Sequence, residues 1–447
     1  MLAETGRAAA WLRDVGVAAG GRGGAQLDKS PAAGIFYLAC LRAGVVFIPL
    51  NTAYQMGELA YFLEDAEPAL LVASAALPGA AVPFAGRRAI LPPDLASSPW
   101  AEWPRELPMT PCGGDDAAAI LYTSGTTGRS KGAVLTHGNL SSNVQVLAQA
   151  WHWQDDDVLL HALPIFHAHG LFVALHLALM HATPMLFHER FDAAAVLRDL
   201  PAATVFMGVP TFYTRLLSEA ALDRDLCAGM RLFISGSAPL LDATFEAFRE
   251  RTGHTILERY GMTEALMVTS NPYDGARIAG SVGPALPGIS VRVRGEHGAM
   301  LGPDEPGVLE MQGPNLFAGY WRNPEKTAED HTADGWFISG DIATIDTAGY
   351  VRIVGGAKEL NISGGYNIYP KEIELAIDAL DGVAESAVIG VPHPDFGEGV
   401  VAVIVGEADG APNADAIAAA LSKHLAAFKR PKRIVIVDAL PRNAMGK

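Results

Sequence analysis

The segment Leu121–Leu140 reads LYTSGTTGRSKGAVLTHGNL, and it sets hydroxyls, glycines and a cation behind an apolar run that ends at Tyr122. Thr123, Ser124, Gly125, Thr126, Thr127 and Gly128 offer hydroxyls and backbone N–H groups, and glycine lets the backbone come close to an anion. Lys131 adds a point charge. This chemistry suits the oxygens of a phosphate group. It is not the GxxxxGKS/T loop, because the lysine stands three residues past the second glycine and Gly132 follows it. A second loop, SGSAPL at Ser235–Leu240, follows a strand-like run, a usual place for ligand contacts in α/β sheets. It presents Ser237 and Ala238. Farther on, ERYGMTE supplies Glu258, Tyr260, Gly261, Met262, Thr263 and Glu264, and SGD supplies Asp341. Taken singly, these read as turn or core residues.

Elements that could position these groups follow from periodicity. Apolar β-type runs at Leu70–Ala73, Ala118–Tyr122, Thr204–Met207 and Leu232–Ser235 alternate with helical patterns at Pro31–Ala43, Asn139–Ala150, Thr211–Glu219 and Ala243–Arg251. Such alternation predicts α/β layers with helices covering the sheets. Short alternating strands with Gly turns from about Val291 to Gly313 predict a small β subdomain. A further α+β pattern follows: strand-like at Gly349–Ile353, Ala384–Ile389, Val400–Val405 and Arg433–Val437, helical at Lys371–Ala379 and Ala414–Leu425. We therefore expect a large N-terminal domain, 1–357, and a smaller α+β C-terminal domain, 358–447.

Composition narrows the function classes. The chain has 447 residues, 50% of them hydrophobic, enough for a large core and more than one domain. The formal charge of -16 argues against non-specific nucleic-acid binding. Cys40, Cys112 and Cys227 form no CxxC pair, which fits a reducing compartment and disfavours a zinc cluster. The start lacks a secretory pattern, and no run of about 20 apolar residues spans a membrane. The richest apolar run, Gly170–Met180, predicts a buried core helix. A cytoplasmic enzyme is the expectation; oligomeric state is not legible.

YTSGTTGRSKG resembles the ATP-phosphate loop of the adenylate-forming superfamily: acyl-CoA synthetases, luciferases and peptide-synthetase adenylation domains. Further motifs follow in order. YGMTE (Tyr260–Glu264) is similar to the adenine and magnesium motif, SGD (Ser339–Asp341) to the ribose motif, KELNISGGYNIYPKEIE (Lys358–Glu374) to the hinge, and PRNAMGK (Pro441–Lys447) to the segment bearing the catalytic lysine. The resemblance implies ATP and coenzyme A as substrates and Mg²⁺ as cofactor. It implies Lys447, Glu264 and Thr123 at the reacting phosphate, with Glu264 as the metal's carboxylate and Asp341 on the ribose. Lys358 matches the hinge about which the C-terminal domain swings. Ser363, Gly364 and Gly365 match the loop lining the pantetheine tunnel. The basic run Lys429, Arg430, Lys432, Arg433 either meets CoA phosphates or forms a solvated face.

For the acid, MGVPTFYTRLL (Met207–Leu217) is similar to the malonyl-CoA synthetase subgroup, as is Glu258–Gly283. That implies Arg215 on the distal carboxylate of a small dicarboxylate, assisted by Ser237, with His169 lining the site and Met267 limiting it. A CoA ligase for another small or medium-chain acid, and a nucleotide-binding relative with impaired catalysis, stay open here. Three substitutions depart from the family pattern. Gly356 stands where the hinge motif usually has Arg, which implies adenylation slowed about 10–100-fold per lost bond. Ala265 replaces the common Thr, and Asn361 stands where Val is usual. Both ends of the chain also read as short for the family.

Overall fold

The computed structural model describes the chain except residues 124–128, 239, 241, 296–297, 357–360, 364–365, 369, 408–412 and 441–447. Local signals fix many of its elements. Helix Pro31–Ala43 starts behind Ser30, whose side chain accepts from the Ala33 N–H, carries Pro at its first turn, and stops at Gly44 in the left-handed region.

Two sheets form the larger part. In the first, strands Arg22–Gln26, Val46–Pro49, Leu70–Ala73, Arg87–Ile90 and Ala117–Thr123 pair in parallel, and Lys131–Thr136 and Gly319–Tyr320 add antiparallel at one edge. In the second, Met185–Phe187, Leu159–His161, Val205–Gly208, Leu232–Ser235 and Leu257–Met262 run parallel, and Leu266–Ser270 closes the edge antiparallel. Strands buried on both faces explain their near-continuous apolar sequences. One core cluster joins helix Pro31–Ala43 and the first sheet to the second through Leu159, Val205, Leu232 and Leu257. A third, antiparallel sheet holds Ser290–Arg294, Gly307–Gln312, Phe337–Ile345 and Val351–Gly356. This is the small β subdomain expected from the sequence.

A fourth sheet begins at Asn361 and packs helices Pro370–Asp378 and Ala414–His424 over its own core of Ile373, Val388, Ile404 and Leu421. The large α/β part and the smaller α+β part are those the residue pattern predicts. One element differs. The apolar run after Pro164 winds as a π-helix over His169–Leu175 before the α-turns of His176–Met180. A Cβ on Gly170 would stand 2.0 Å from the Pro164 carbonyl oxygen, so only glycine fits where this wide turn begins. Wide turns of this kind concentrate at functional sites. No described helix is long and apolar enough to cross a membrane.

Candidate active site

Strand Leu257–Met262 carries the site along its length. Successive side chains of a strand point to opposite faces. At its C-terminal end the chain turns back through Glu264, which is buried. Thr123, the last residue of the strand before the phosphate loop, donates from Oγ1 to Glu264 Oε1 at 3.2 Å, and the Tyr320 hydroxyl donates to the same oxygen at 3.2 Å. Burial raises the Glu264 pKa, while Lys131 and the two hydroxyls pull it back. Lys131 Nζ lies 3.8 Å from Asp330 and 4.4 Å from the Tyr320 ring centre. Two motifs separated by more than a hundred residues thus meet at one carboxylate. Beside them the Tyr260 hydroxyl donates to Asp341 Oδ2 at 2.6 Å. Asp341 pairs across the small sheet with Gly356. The glycine that replaces the family's arginine therefore sits directly opposite this carboxylate. Gly261 and Met262, both half-buried, end the strand, and half-buried Thr263 opens the turn that carries Glu264. Glu258 stands apart, toward Asp242 and Gly280, and burial pushes its carboxyl up to about 8.

The other end of the site is built of donors. His169 Nδ1 lies 3.3 Å from Ser237 Oγ, and the His169 N–H donates to His167 Nδ1 at 3.3 Å. Ser237 holds φ at 70°, a left-handed value uncommon for serine, and half-buried Ala238 follows it. Met267 is buried beside Asn143, whose amide donates to the Met267 carbonyl. The residue that dominates this end is one the motif reading passed over. Arg259 is 2% exposed, and none of its guanidinium nitrogens has a partner among the described residues. A Cβ on Gly236 would stand 2.5 Å from its Cζ, so the glycine before Ser237 makes the room it occupies. His169 Nε2 and Ser235 Oγ are unpartnered too. Burial lowers the Arg259 pKa to about 9, which leaves it charged at neutral pH. Burial, then the charge of Arg259, holds His169 well below its usual value, so the imidazole is neutral.

Arg215 is elsewhere. It lies on the exposed face of helix Pro210–Leu217, so the arginine buried against His169 and the Ser237 loop is Arg259. A signal for Arg259 was present: an arginine inside a parallel strand, between two residues already singled out.

A cavity runs from the Thr123–Glu264 end past His167 to the C-terminal part. Its walls include Thr123, Glu264, His167 and Tyr54 from the large part, and Tyr366, Phe428 and Lys429 from the small one. The Tyr366 and Phe428 rings stack with centres 4.3 Å apart. Ser363 is buried at the strand end just before Tyr366. Lys447, Lys358, Gly364, Gly365 and the loop residues Ser124, Gly125, Thr126, Thr127 and Gly128 lie outside the described residues.

An AMP-binding enzyme profile matches residues 1–321, and the profile of the AMP-binding enzyme C-terminal domain matches residues 372–447. The chain belongs to the AMP-binding enzyme family. It is 34% identical over 445 residues to a malonate–CoA ligase of Arabidopsis thaliana, covering 91% of this chain and 73% of the relative. It matches ATP-bound MatB from Rhodopseudomonas palustris at 50% identity and a TM-score of 0.77, over 100% of this chain and 90% of that one. A malonyl-CoA ligase in a ternary product complex with methylmalonyl-CoA and AMP matches at 38% identity and a TM-score of 0.85, over 98% and 94%.

The residues present fit Mg²⁺. That ion takes hard oxygen donors and is commonly held by one or two carboxylates together with substrate phosphates. Glu264, with the Thr123 hydroxyl at hydrogen-bond distance, offers such a set. When bound, the ion would neutralise charge on the phosphate oxygens.

Proposed function

We propose that this chain joins a small dicarboxylic acid, malonate or its methyl homologue, to coenzyme A at the expense of ATP. One carboxylate oxygen attacks the α-phosphorus, the bond to the bridging oxygen of the β-phosphate breaks, and pyrophosphate leaves. The product is an acyl-adenylate. The CoA sulfur then attacks the acyl carbon and loses its proton, and AMP leaves with the electrons of the acyl–oxygen bond. No protein nucleophile is needed; the site must bring anions together and hold them.

One observation carries the choice of acid. Arg259 is a buried charge with nothing to donate to among the described residues. Such a group is expensive unless an anion meets it. A malonate whose near carboxylate faces the nucleotide would present its distal carboxylate to Arg259, with His169 and Ser237 as further donors. An apolar acid would leave the guanidinium orphaned. Relatives named for malonate support the same reading. Arg215, exposed on its helix, keeps at most an outer role in this reading, attracting the dianion by its charge.

On the nucleotide side, Thr123, Lys131 and Glu264 would serve the phosphates, and Tyr260 and Asp341 the adenosine. The main-chain bend at Ser237–Ala238 and the strand end Gly261–Met262 with Thr263 would border the adenylate. The domain division at 357–358, the hinge at Lys358, the CoA loop Ser363–Gly365 and the catalytic role of Lys447 complete the proposal.

The test is AMP and thioester formation with ATP, Mg²⁺ and CoA against malonate, methylmalonate, acetate, octanoate and benzoate. Turnover confined to the two dicarboxylates is expected. Preference for a monocarboxylate overturns the choice of acid but not the family.

A further inference from the structure

The basic run at 429–433 neither forms a wholly solvated face nor offers all its charges to a ligand. Lys429 is 3% exposed, and its ammonium is already taken. Nζ donates to Glu372 Oε1 at 2.7 Å and to Glu58 Oε1 at 3.1 Å. Glu372 belongs to helix Pro370–Asp378, on the same side of the molecule as Lys429. Glu58 belongs to helix Met56–Ala66 of the large part, 371 residues away in sequence. The ion triad therefore crosses between the two parts, and Tyr54 closes it, with Nζ 5.2 Å from its ring centre. Burial alone would lower the Lys429 pKa, but Tyr54, Glu372 and Glu58 raise it overall. Glu58 also caps its own helix, accepting from the Gln55 N–H through Oε2 at 3.1 Å. A cap anchored to the large part thus receives a cation from the small one. Lys429 and Tyr54 line the cavity that reaches Thr123 and Glu264.

We infer that Lys429 is a positioning residue that fastens the C-terminal part in the orientation that accepts the CoA arm. The inference rests on the two-step reading above. In this orientation Tyr366 and Phe428 wall the cavity, and the proposed pantetheine loop begins beside them. Formation of the adenylate uses another orientation and gains nothing from the triad. Loss of the Glu58 bond should therefore slow only thioester formation.

Glu58→Gln is the clean variant. Glutamine still accepts from the Gln55 N–H, so the helix keeps its cap. The pair Lys429–Glu372 stays intact, and only the charge across the boundary is lost. Two rates are compared: acid-dependent ATP–pyrophosphate exchange, and thioester formation when CoA meets preformed acyl-adenylate. We expect exchange unchanged or faster and thioester formation about tenfold slower. Glu372→Gln, which leaves the crossing bond in place, should lose less. Equal slowing of both rates, or no slowing of thioester formation, overturns the inference. Exchange also reports that the variant is folded. If the unsubstituted chain exchanges with a monocarboxylate but not with malonate, the choice of acid fails, and the two rates are compared with the acid that works.

Discussion

The two ends of the site differ in how far their polar groups are satisfied. At the nucleotide end the carboxylates are already met: Glu264 by Thr123 and Tyr320, Asp341 by Tyr260. At the other end the three guanidinium nitrogens of Arg259, with His169 Nε2 and Ser235 Oγ, have nothing to bond among the described residues. Folded proteins pair most of their buried polar groups, so a cluster of orphans marks where a ligand completes the structure. The nucleotide end is organised by the protein itself. In the proposed reading the other end waits for an anionic acid, which the positive charge of Arg259 would select.

The sharpest way to break this contrast is Arg259→Met. Two charge-assisted bonds of about 1.5–3 kcal/mol each would go, so malonate-dependent adenylation should fall about 1,000-fold, with acetate use little changed. Pyrophosphate release against both acids measures it. Glu264→Gln should cost about 100-fold in adenylation and raise the Mg²⁺ needed for half-maximal rate, read from a magnesium titration. Arg215→Ala should cost about tenfold in kcat/KM for malonate, because an exposed charge is screened by solvent. A loss as large as that of Arg259→Met would move the distal carboxylate to Arg215. Gly356→Arg should raise the adenylation rate, up to about tenfold, by returning a cation opposite Asp341; single-turnover adenylate formation checks it.

The smallest effect concerns Glu258. Its folded-state pKa of about 8 lies above the ordinary value of 4.5. The proton it keeps therefore stabilises the folded chain fully below about pH 4.5, and that contribution is lost as the pH rises toward 8. Glu258→Gln stays neutral throughout. From pH 5 to 8 the melting temperature of the unsubstituted chain should fall by a few degrees relative to the variant.

Much of this was legible in the chain itself. Strands at Leu70–Ala73 and Leu232–Ser235 and the helix Pro31–Ala43 stand where apolar runs and helical periodicity put them. The meeting of Thr123 with Glu264, and of Tyr260 with Asp341, follows motifs that the residues spell out. What escaped depends on tertiary packing. The π-helix at His169–Leu175 shares its apolar run with an ordinary helix, and only the close approach at Gly170 distinguishes the two. Arg259 looked like a spacer between two motif residues, because its burial is set by Gly236, just past the end of the neighbouring strand. Arg215 carried the right charge beside the right turn, yet its helix turns it to solvent. Lys429 sat in a basic run that reads as surface, and its partner Glu58 is far away in sequence.

The most direct test is the ratio of kcat/KM for malonate to that for propionate, in the unsubstituted chain and in Arg259→Met. The two acids share three carbons and differ in the distal charge. A strong preference for malonate that collapses in the variant is the predicted result. A preference for propionate, or a malonate preference that survives the substitution, would contradict the assignment of Arg259 as the group that selects the acid.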